Sequence, residues 1–201
     1  DIALINPNTR TCAIFRTGVD AELTKAIYER VPALNAEYNP WRIGFLRMID
    51  MANDSDIFQT EPSPGLLPLY EAKMVWQYDH RFGSFDGREE RGFTNLAAVA
   101  VERLQEADWQ PTPFYWVPEV AVLYRLVPLD DETLVTLSAL PEDEQIAFLR
   151  PLAPKWLMGF RDITSVSNER TAIFTVIPTV GANHKLPLLR TESVEPPEAA
   201  C

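Results

Sequence analysis

The chain has 201 residues and a net charge of −11, from 29 acidic and 18 basic residues, and 46% of its residues are hydrophobic. This composition excludes a disordered chain, and the length suits one large domain or a domain with a subdomain. Because no run of about 18 apolar residues occurs, we expect no membrane span.

The N-terminus and the cysteines bear on where the protein resides. Residues 1–4 lack both an initiating methionine and the basic segment of a signal peptide, so we expect the chain to be part of a longer protein. Cys12 and Cys201 are too few for a disulfide framework or a zinc knuckle. This usage favours a reducing, cytoplasmic location with free thiols.

The first third of the chain is predicted to contain one strand and one helix. Cys12 to Thr17 is typical of a short strand, and Asp20 is expected to be the N-cap of a helix that Pro32 ends. Prolines predict irregular structure over 33–68, although 43–48 could pair in a sheet. Apolar residues recur on one face of the helix at Leu23, Ile27 and Val31.

Six further elements are predicted along the rest of the chain. They are, in order, a helix over 94–107, strands over 114–117 and 120–126, a helix over 141–149, and strands over 156–163 and 171–177. This indicates an α+β (mixed α/β) fold, in which a mixed or antiparallel sheet packs with a few helices and long irregular loops. We expect one domain over 1–190, with 1–68 as a candidate connecting subdomain, and a flexible tail over 191–201.

Charge is distributed unevenly along the chain. Residues 104–149 hold nine acidic residues and one basic residue, whereas residues 150–190 hold six basic and two acidic residues. Nucleic-acid binding requires a basic surface, which the total charge by itself argues against. The uneven distribution would still allow one basic face with the acidic part pointing away. The alternative, that acidic residues only keep the protein in solution, explains the total but not the asymmetry.

Two arginines near the C-terminal end are candidates for binding an anion. Arg161 and Arg170 flank apolar, β-like runs and therefore need a carboxylate, solvent or a bound anion as a partner. Asp162 and Glu169 could supply internal ion pairs. A structural role and an anion-binding role are therefore both open.

Segment 69–82 places polar and charged residues between aromatic residues. Within it, Asp79 could orient His80 as a general base while Arg81 holds an anion. Against this, adjacent residues on a strand point to opposite faces, so structural or DNA-contact roles are favoured. Three tryptophans could stack on unpaired bases, although such aromatics are more often in the core: Trp76, Trp116 and Trp156.

Signatures of independent catalysis and of metal binding are missing from the sequence. It has no Gly-rich phosphate loop and no Gly-x-Ser-x-Gly motif, and His80 and His184 do not form a His-x-x-x-His pair. We therefore predict no catalytic residue and no metal site in this chain. His184 is expected to be an exposed loop residue.

Four segments, in order along the chain, carry a resemblance to a known family. They are 69–81 (Leu-Tyr-Glu-x-Lys-Met-x-x-Gln-Tyr-Asp-His-Arg), 115–118 (Tyr-Trp-Val-Pro), 159–163 (Gly-Phe-Arg-Asp-Ile) and 168–171 (Asn-Glu-Arg-Thr). Together they closely resemble the C-terminal region of Eco57I-like adenine-specific DNA methyltransferases of restriction-modification and phage-defence systems. Residues 6–11 (Asn-Pro-Asn-Thr-Arg-Thr) with Phe15-Arg16, and the stretch 39–54, also resemble the segment that follows the catalytic domain in that family. The resemblance therefore covers most of 1–190 and implies the target-recognition part of such an enzyme.

In that family the catalytic part binds S-adenosylmethionine and methylates a flipped adenine on N6 at an Asn/Asp-Pro-Pro-aromatic motif. This chain lacks a Gly-rich cofactor loop, and Asn6-Pro7-Asn8 and Asn39-Pro40-Trp41 each lack the second proline of the motif. The resemblance therefore implies no cofactor in this chain, with S-adenosylmethionine bound by a methyltransferase domain N-terminal to it in the parent protein. The implied partners are that domain and duplex DNA.

Several polar residues in these motifs are of the type that contacts DNA phosphates or base edges. They are Lys73, Gln77, His80, Arg81, Arg161, Asn168 and Arg170. Residues that read the base sequence could also lie outside the shared motifs, in 83–92 or 179–190. Two other functions stay open: a protein-interaction domain of a defence complex, and a small hydrolase that uses Asp79 and His80.

Overall fold

The computed structural model describes residues 5–6, 11–31, 33–34, 43–88, 90, 92, 96–165 and 167–191. Across these residues the protein has five α-helices and two sheets, one antiparallel and one mixed, so the predicted α+β class is confirmed. The chain divides into two compact units, one of Asp1–Phe45 with Leu189–Cys201 and one of Leu46–Leu188. The predicted tail over 191–201 lies outside the described residues, apart from residue 191.

The helices and strands are, in chain order, α1 (Gly18–Arg30), β1 (Ile43–Leu46), β2 (Leu66–Tyr70), α2 (Val101–Leu104), β3 (Trp116–Pro118), α3 (Glu119–Leu126), α4 (Asp131–Ser138), α5 (Glu142–Leu149), β4 (Trp156–Phe160), β5 (Phe174–Pro178), β6 (Gly181–Ala182) and β7 (Leu188–Thr191). Two short 3₁₀ helices, Ser55–Ile57 and Ala72–Met74, lie before and after β2. The predictions of a strand within 43–48, a helix over 141–149 and a C-terminal strand pair are confirmed.

In the smaller unit, helix α1 begins before the expected N-cap. The Thr17 hydroxyl accepts a hydrogen bond from the Asp20 N–H (3.1 Å), and the Asp20 carboxylate accepts one from the Thr17 N–H (3.2 Å). This reciprocal capping box makes Thr17 the N-cap, so the prediction of Asp20 is wrong. The strand predicted over 12–17 is also wrong, because these residues join no sheet and the segment ends in the helix cap.

Strand β2 is the central strand of the mixed sheet in the larger unit. It pairs antiparallel with β3, where Pro68 lies opposite Trp116, and parallel with β6, where Tyr70 lies opposite Ala182. Tyr70 and Ala182 are buried in the main core together with side chains from β3, β4 and β5. Beyond β6, the Asn183 N–H donates to the Tyr70 carbonyl, which ties the chain after β6 to the end of β2.

Strands β4 and β5 form an antiparallel pair in which Phe160 lies opposite Phe174. On its other side, the end of β4 lies beside the residues that precede β7. There the Phe160 N–H donates to the Pro187 carbonyl and the Asp162 N–H donates to the Lys185 carbonyl. These bonds bring the end of β4 beside the segment that follows β6.

Helices α3, α4 and α5 enclose a second, smaller apolar core that includes Leu123, Leu137 and Leu149. The strand predicted over 120–126 is wrong, because these residues belong to α3. Val122 and Leu126 are buried at helical spacing, and Pro118 ends β3 at the helix N-cap, where a missing N–H costs little.

Two other helical regions differ from prediction. Helix α4 has no counterpart among the predicted elements, and it begins where the Asp130 carboxylate accepts a bond from the Thr133 N–H (2.7 Å). Of the helix predicted over 94–107, only α2 is helical within the described residues. The longer helix is wrong because residues 96–100 are not helical: Ala98 forms a β-bridge with Gly83, and the Val99 N–H donates to the Phe82 carbonyl.

Candidate anion-binding cleft

A cleft of about 520 Å³ in the larger unit is lined by three cations and one carboxylate. It lies between the turn after β2, the end of β4 and the segment after β6. We call it the cationic cleft, and its polar lining residues are Glu71, Lys73, Arg161, Asn183, His184 and Lys185. Lys73 and Arg161 come from two of the motifs singled out in the sequence, and the fold brings them to one site.

Arg161, which follows β4, is held in the cleft lining by hydrogen bonds from its guanidinium nitrogens and by contact of the guanidinium face with aromatic rings. Its Nε and Nη2 both donate to the Val75 carbonyl, at 3.0 and 2.6 Å. The guanidinium carbon lies 4.6 Å from the ring centroid of Trp76 and 5.8 Å from that of Phe82. No carboxylate within the described part of the chain lies within 4.0 Å of it, and burial lowers its pKa. A bound anion would offset the cost of this partly buried charge.

The carboxylate next to Arg161 in the sequence serves other cations. Asp162 accepts two hydrogen bonds from Arg47, at 3.0 and 3.1 Å, and lies 3.8 Å from the Lys185 ammonium. The bonds to Arg47 hold the pKa of Asp162 below its usual range. The sequence leaves open a structural role for Arg161, in an ion pair with Asp162. The structure does not contain this ion pair.

Lys73, on the 3₁₀ helix after β2, is held in the cleft lining by contacts within the protein. Its ammonium donates to the Gly92 carbonyl (3.0 Å) and lies 3.8 Å from the buried Glu71 carboxylate and 5.1 Å from the Phe85 ring centroid. Part of its charge is thus balanced within the protein. Lys73 contributes to the positive potential of the cleft less strongly than a cation with no carboxylate beside it.

The segment after β6 supplies hydrogen-bond donors to the cleft. Asn183 is 2% exposed, its Oδ1 accepts from the Lys185 N–H, and no hydrogen bond within the described residues uses its Nδ2. The His184 Nδ1 accepts from the Met51 N–H (3.3 Å), which makes Nε2 the donor in the neutral imidazole. The Lys185 side chain is about half exposed.

Sequence reasoning identified Asn183, His184 and Lys185 only within the broad range 179–190. The expectation that His184 is exposed is wrong, because the ring is partly buried and bonded to Met51. A usable signal was three consecutive polar residues between the apolar stretches 180–182 and 186–188. Such an interruption of an apolar segment indicates that the three polar side chains meet at a specific site in the fold.

Gln77 and Arg81, both predicted to contact DNA, form bonds within the protein. The Gln77 Oε1 accepts from the Phe174 N–H (2.8 Å), which ties the turn at 76–79 to β5. Arg81 donates to three carbonyls at and after the end of α2, those of Leu104, Glu106 and Trp109. Arginine at this position satisfies carbonyls that the end of a helix leaves unpaired.

His80 lines a different groove, of about 370 Å³, with Tyr70 and Thr112. Burial lowers the pKa of His80, and the neighbouring charge of Arg81 lowers it further, while the charge of Asp79 opposes the shift. The Asp79 carboxylate accepts a bond from the Arg81 N–H (2.8 Å), and no hydrogen bond joins it to His80 within the described residues. This geometry does not supply the carboxylate–imidazole bond that a hydrolase would use.

Asn168 and Arg170 lie in the loop between β4 and β5. The Asn168 N–H donates to the Ser165 carbonyl (3.0 Å), its side chain is partly exposed, and Arg170 is exposed. Neither lines the cationic cleft. Of the seven predicted DNA contacts, the fold therefore unites Lys73 and Arg161, and it places the other five elsewhere.

Comparisons with family models, with curated proteins and with solved structures each found no match for this chain. Within the described ranges, no group of three or more His, Cys, Asp or Glu side chains is placed to hold a metal ion. No helix there is long and apolar enough to cross a bilayer.

Proposed function

We propose that this chain is a DNA target-recognition domain of an adenine-specific DNA methyltransferase. In this function it positions duplex DNA for N6-adenine methylation by an S-adenosylmethionine-dependent domain N-terminal to it in the parent protein. The observation that carries the proposal is the environment of Arg161. This partly buried cation has no carboxylate partner among the described residues, and it lines a cleft together with two further cations. Phosphate is the anion that such a site meets on DNA.

The composition of the cleft suits a nucleic acid better than a simple counter-ion. Lys185 can neutralise phosphates, and the partly exposed His184 offers an imidazole group that can hydrogen-bond a base edge, whereas Asn183 is too deeply buried to reach a base. None of the described residues that line the cleft comes from the acidic stretch 104–149. The negative charge of that stretch is therefore not part of the cleft lining, in which Glu71 is the one carboxylate among the described residues.

The resemblance to adenine methyltransferases adds a second line of support. Its motifs at 69–81 and 159–163 are far apart in the sequence, yet Arg161 bonds directly to the Val75 carbonyl. If the motifs of the resemblance serve one binding site, their residues should lie close together in the fold, as these do. The methyl-transfer step itself belongs to the proposed N-terminal domain.

A protein-interaction domain is the second candidate, and one observation in the smaller unit favours it. No residue of α1 is buried, and its apolar residues Leu23 and Ile27 are 60% and 52% exposed. Exposed apolar side chains on one helix face are typical of a surface that binds another protein. This surface and the cationic cleft belong to different units, so both functions can be tested separately.

Binding to a randomised duplex pool at low salt, followed by a salt titration, tests the DNA proposal. Arg161→Ala combined with Lys185→Ala should weaken binding about 10-fold or more and reduce the slope of log K against log salt by about 2. The charge-matched control is Arg150→Ala with Lys155→Ala, since both residues are exposed and lie outside the cleft. We expect it to change affinity less than about 2-fold.

Three outcomes would contradict parts of the proposal. If the cleft variant keeps its circular dichroism spectrum and its affinity, the cleft is not the DNA site. If the cleft double variant and the charge-matched control weaken binding equally, the effect is one of net charge. If the unaltered chain does not bind duplex DNA at low salt, the protein-interaction function is favoured instead. Sequencing of the retained pool reports whether a short adenine-containing motif is enriched.

A further inference from the structure

A tight turn next to the cationic cleft carries an unusually exposed aromatic residue. The Trp76 N–H donates to the Asp79 carbonyl (2.7 Å), and the Asp79 N–H donates back to the Trp76 carbonyl (3.0 Å). Tyr78, between them, has φ of 62° and is 83% exposed. It is the only non-glycine residue with positive φ among those the structure describes.

Glycine is the residue that this backbone conformation favours, because a Cβ is strained at positive φ. The tyrosine ring does not compensate for the strain through packing, since it is exposed and makes no ring contact within the described residues. Strained residues that the surrounding structure holds in place are concentrated at functional sites. A tyrosine at this position is therefore better explained by a role in binding than by a contribution to the stability of the fold.

The turn is fixed in place on both sides of Tyr78. The Tyr78 N–H donates to the Phe174 carbonyl (2.9 Å), while the Gln77 Oε1 accepts from the Phe174 N–H (2.8 Å). At its base, the Trp76 ring stacks on Phe82 at 5.2 Å. An aromatic side chain on a rigid support loses little conformational freedom when it binds.

The same turn is joined to the cleft through Arg161. Its guanidinium lies over Trp76 and bonds to the carbonyl of Val75, the residue before the turn. We infer that Tyr78 is a stacking residue that binds an unpaired nucleobase of the DNA held at the cationic cleft. This inference rests on the proposed function, because it needs DNA at the cleft. Base–aromatic stacking is sequence-tolerant, so Tyr78 would detect an unstacked base rather than read its identity.

The test compares binding of the chain to a fully paired duplex with binding to the same duplex carrying one bulged base. The unaltered chain should prefer the bulged duplex, and Tyr78→Ala should lose that preference by about 5-fold or more, from the usual effect of removing one stacking aromatic. Tyr78→Phe should keep the preference, because it keeps the ring. 2-Aminopurine at the bulge should be quenched by the chain and by Tyr78→Phe, but less by Tyr78→Ala.

The matched control is Phe148→Ala, which removes another exposed aromatic, on α5 outside the cleft, and should leave the preference unchanged. Tyr78→Gly separates folding from binding, because it relieves the strained φ and should unfold at no lower temperature while it loses the preference. If Tyr78→Ala keeps the preference, or if the unaltered chain binds both duplexes equally, the inference fails although duplex binding stands. If the chain binds neither duplex, the proposed function fails and this inference with it.

Discussion

The cationic cleft and the helical region of α3–α5 use arginine in opposite ways. In the helical region, Arg150 makes two bonds to Glu119, at 2.7 and 2.8 Å, and Arg125 bonds to Asp54 at 2.8 Å. The bond to Glu119 raises the pKa of Arg150, whereas burial lowers the pKa of Arg161 in the cleft. The role of an arginine in this protein therefore depends on whether the fold brings a carboxylate within reach.

The acidic residues differ between the two regions as well. The first turns of α4 and α5 contain Asp131, Glu132, Glu142, Asp143 and Glu144. Carboxylates at these positions interact favourably with the positive end of the helix dipole. Hydrogen bonds at the N-cap likewise lower the pKa of Asp130, with the Thr133 N–H as the main donor. Much of the negative charge of the chain is therefore placed where helices stabilise it, away from the cleft lining.

The largest expected effect is on the helical core, and it tests whether the two regions are independent. Leu149 is 0% exposed, so Leu149→Ala should lower the free energy of unfolding by about 2–5 kcal/mol. Because Leu149 does not line the cleft, the salt slope of DNA binding should be unchanged at temperatures where the variant is folded.

Urea unfolding and the salt titration measure these two quantities on the same sample. The control is Val135→Ala on α4, which is 70% exposed and should change the free energy of unfolding by less than about 0.5 kcal/mol. A lower salt slope in folded Leu149→Ala would show that the two regions are coupled and would contradict the comparison.

Asp162→Asn should have a smaller, pH-dependent effect. The pKa of Asp162 is lowered in the folded state, so its stabilising contribution is present above the unfolded pKa of about 3.9 and is lost as pH falls through the folded pKa. Since Arg47 is about half exposed, solvent reduces the contribution to about 0.5–1 kcal/mol at pH 6. The variant and the unaltered chain should approach equal stability in strong acid.

The same variant should bind DNA more tightly, because Asp162 balances part of the charge of Arg47 and Lys185. Unfolding by urea between pH 6 and pH 2.5 and binding at low salt are the two measurements. Asp108→Asn removes one exposed carboxylate outside the cleft and is the charge-matched control. A stability difference that does not shrink below pH 3.9, or an equal gain in affinity in both variants, would contradict this role of Asp162.

The smallest expected effect is that of Arg150→Met in the helical region. The Arg150 side chain is 63% exposed, so loss of its pair with Glu119 should shift Tm by less than about 3 °C. DNA affinity should change less than about 2-fold, in contrast to Arg161→Ala. Differential scanning calorimetry and duplex binding check both values. A loss of affinity as large as that from Arg161→Ala would mean that a carboxylate partner does not determine which arginine contributes to DNA binding.

Local sequence patterns predicted the parts of the fold that depend on neighbouring residues. The acidic turn after Pro141 identified α5, and the alternation of buried and exposed residues in β4 agrees with the predicted strand. The same reasoning failed for 120–126, because a short apolar run suits a buried strand and a buried helix equally. Packing of Leu123 against α4 and α5 decided in favour of the helix.

The sequence by itself determined the α+β class and the uneven distribution of charge, and it named Lys73 and Arg161, but not Lys185, as candidates for binding an anion. Only the tertiary structure decided which described carboxylate each of those cations lies beside. Asp162 is adjacent to Arg161 in the sequence, yet it bonds to Arg47, which is distant along the chain. Just after β4, the Arg161 N–H donates to the Ile173 carbonyl, whereas the Asp162 N–H donates to the Lys185 carbonyl on another segment. Which groups form an ion pair therefore depends on which strands and loops meet, and local spacing does not specify this.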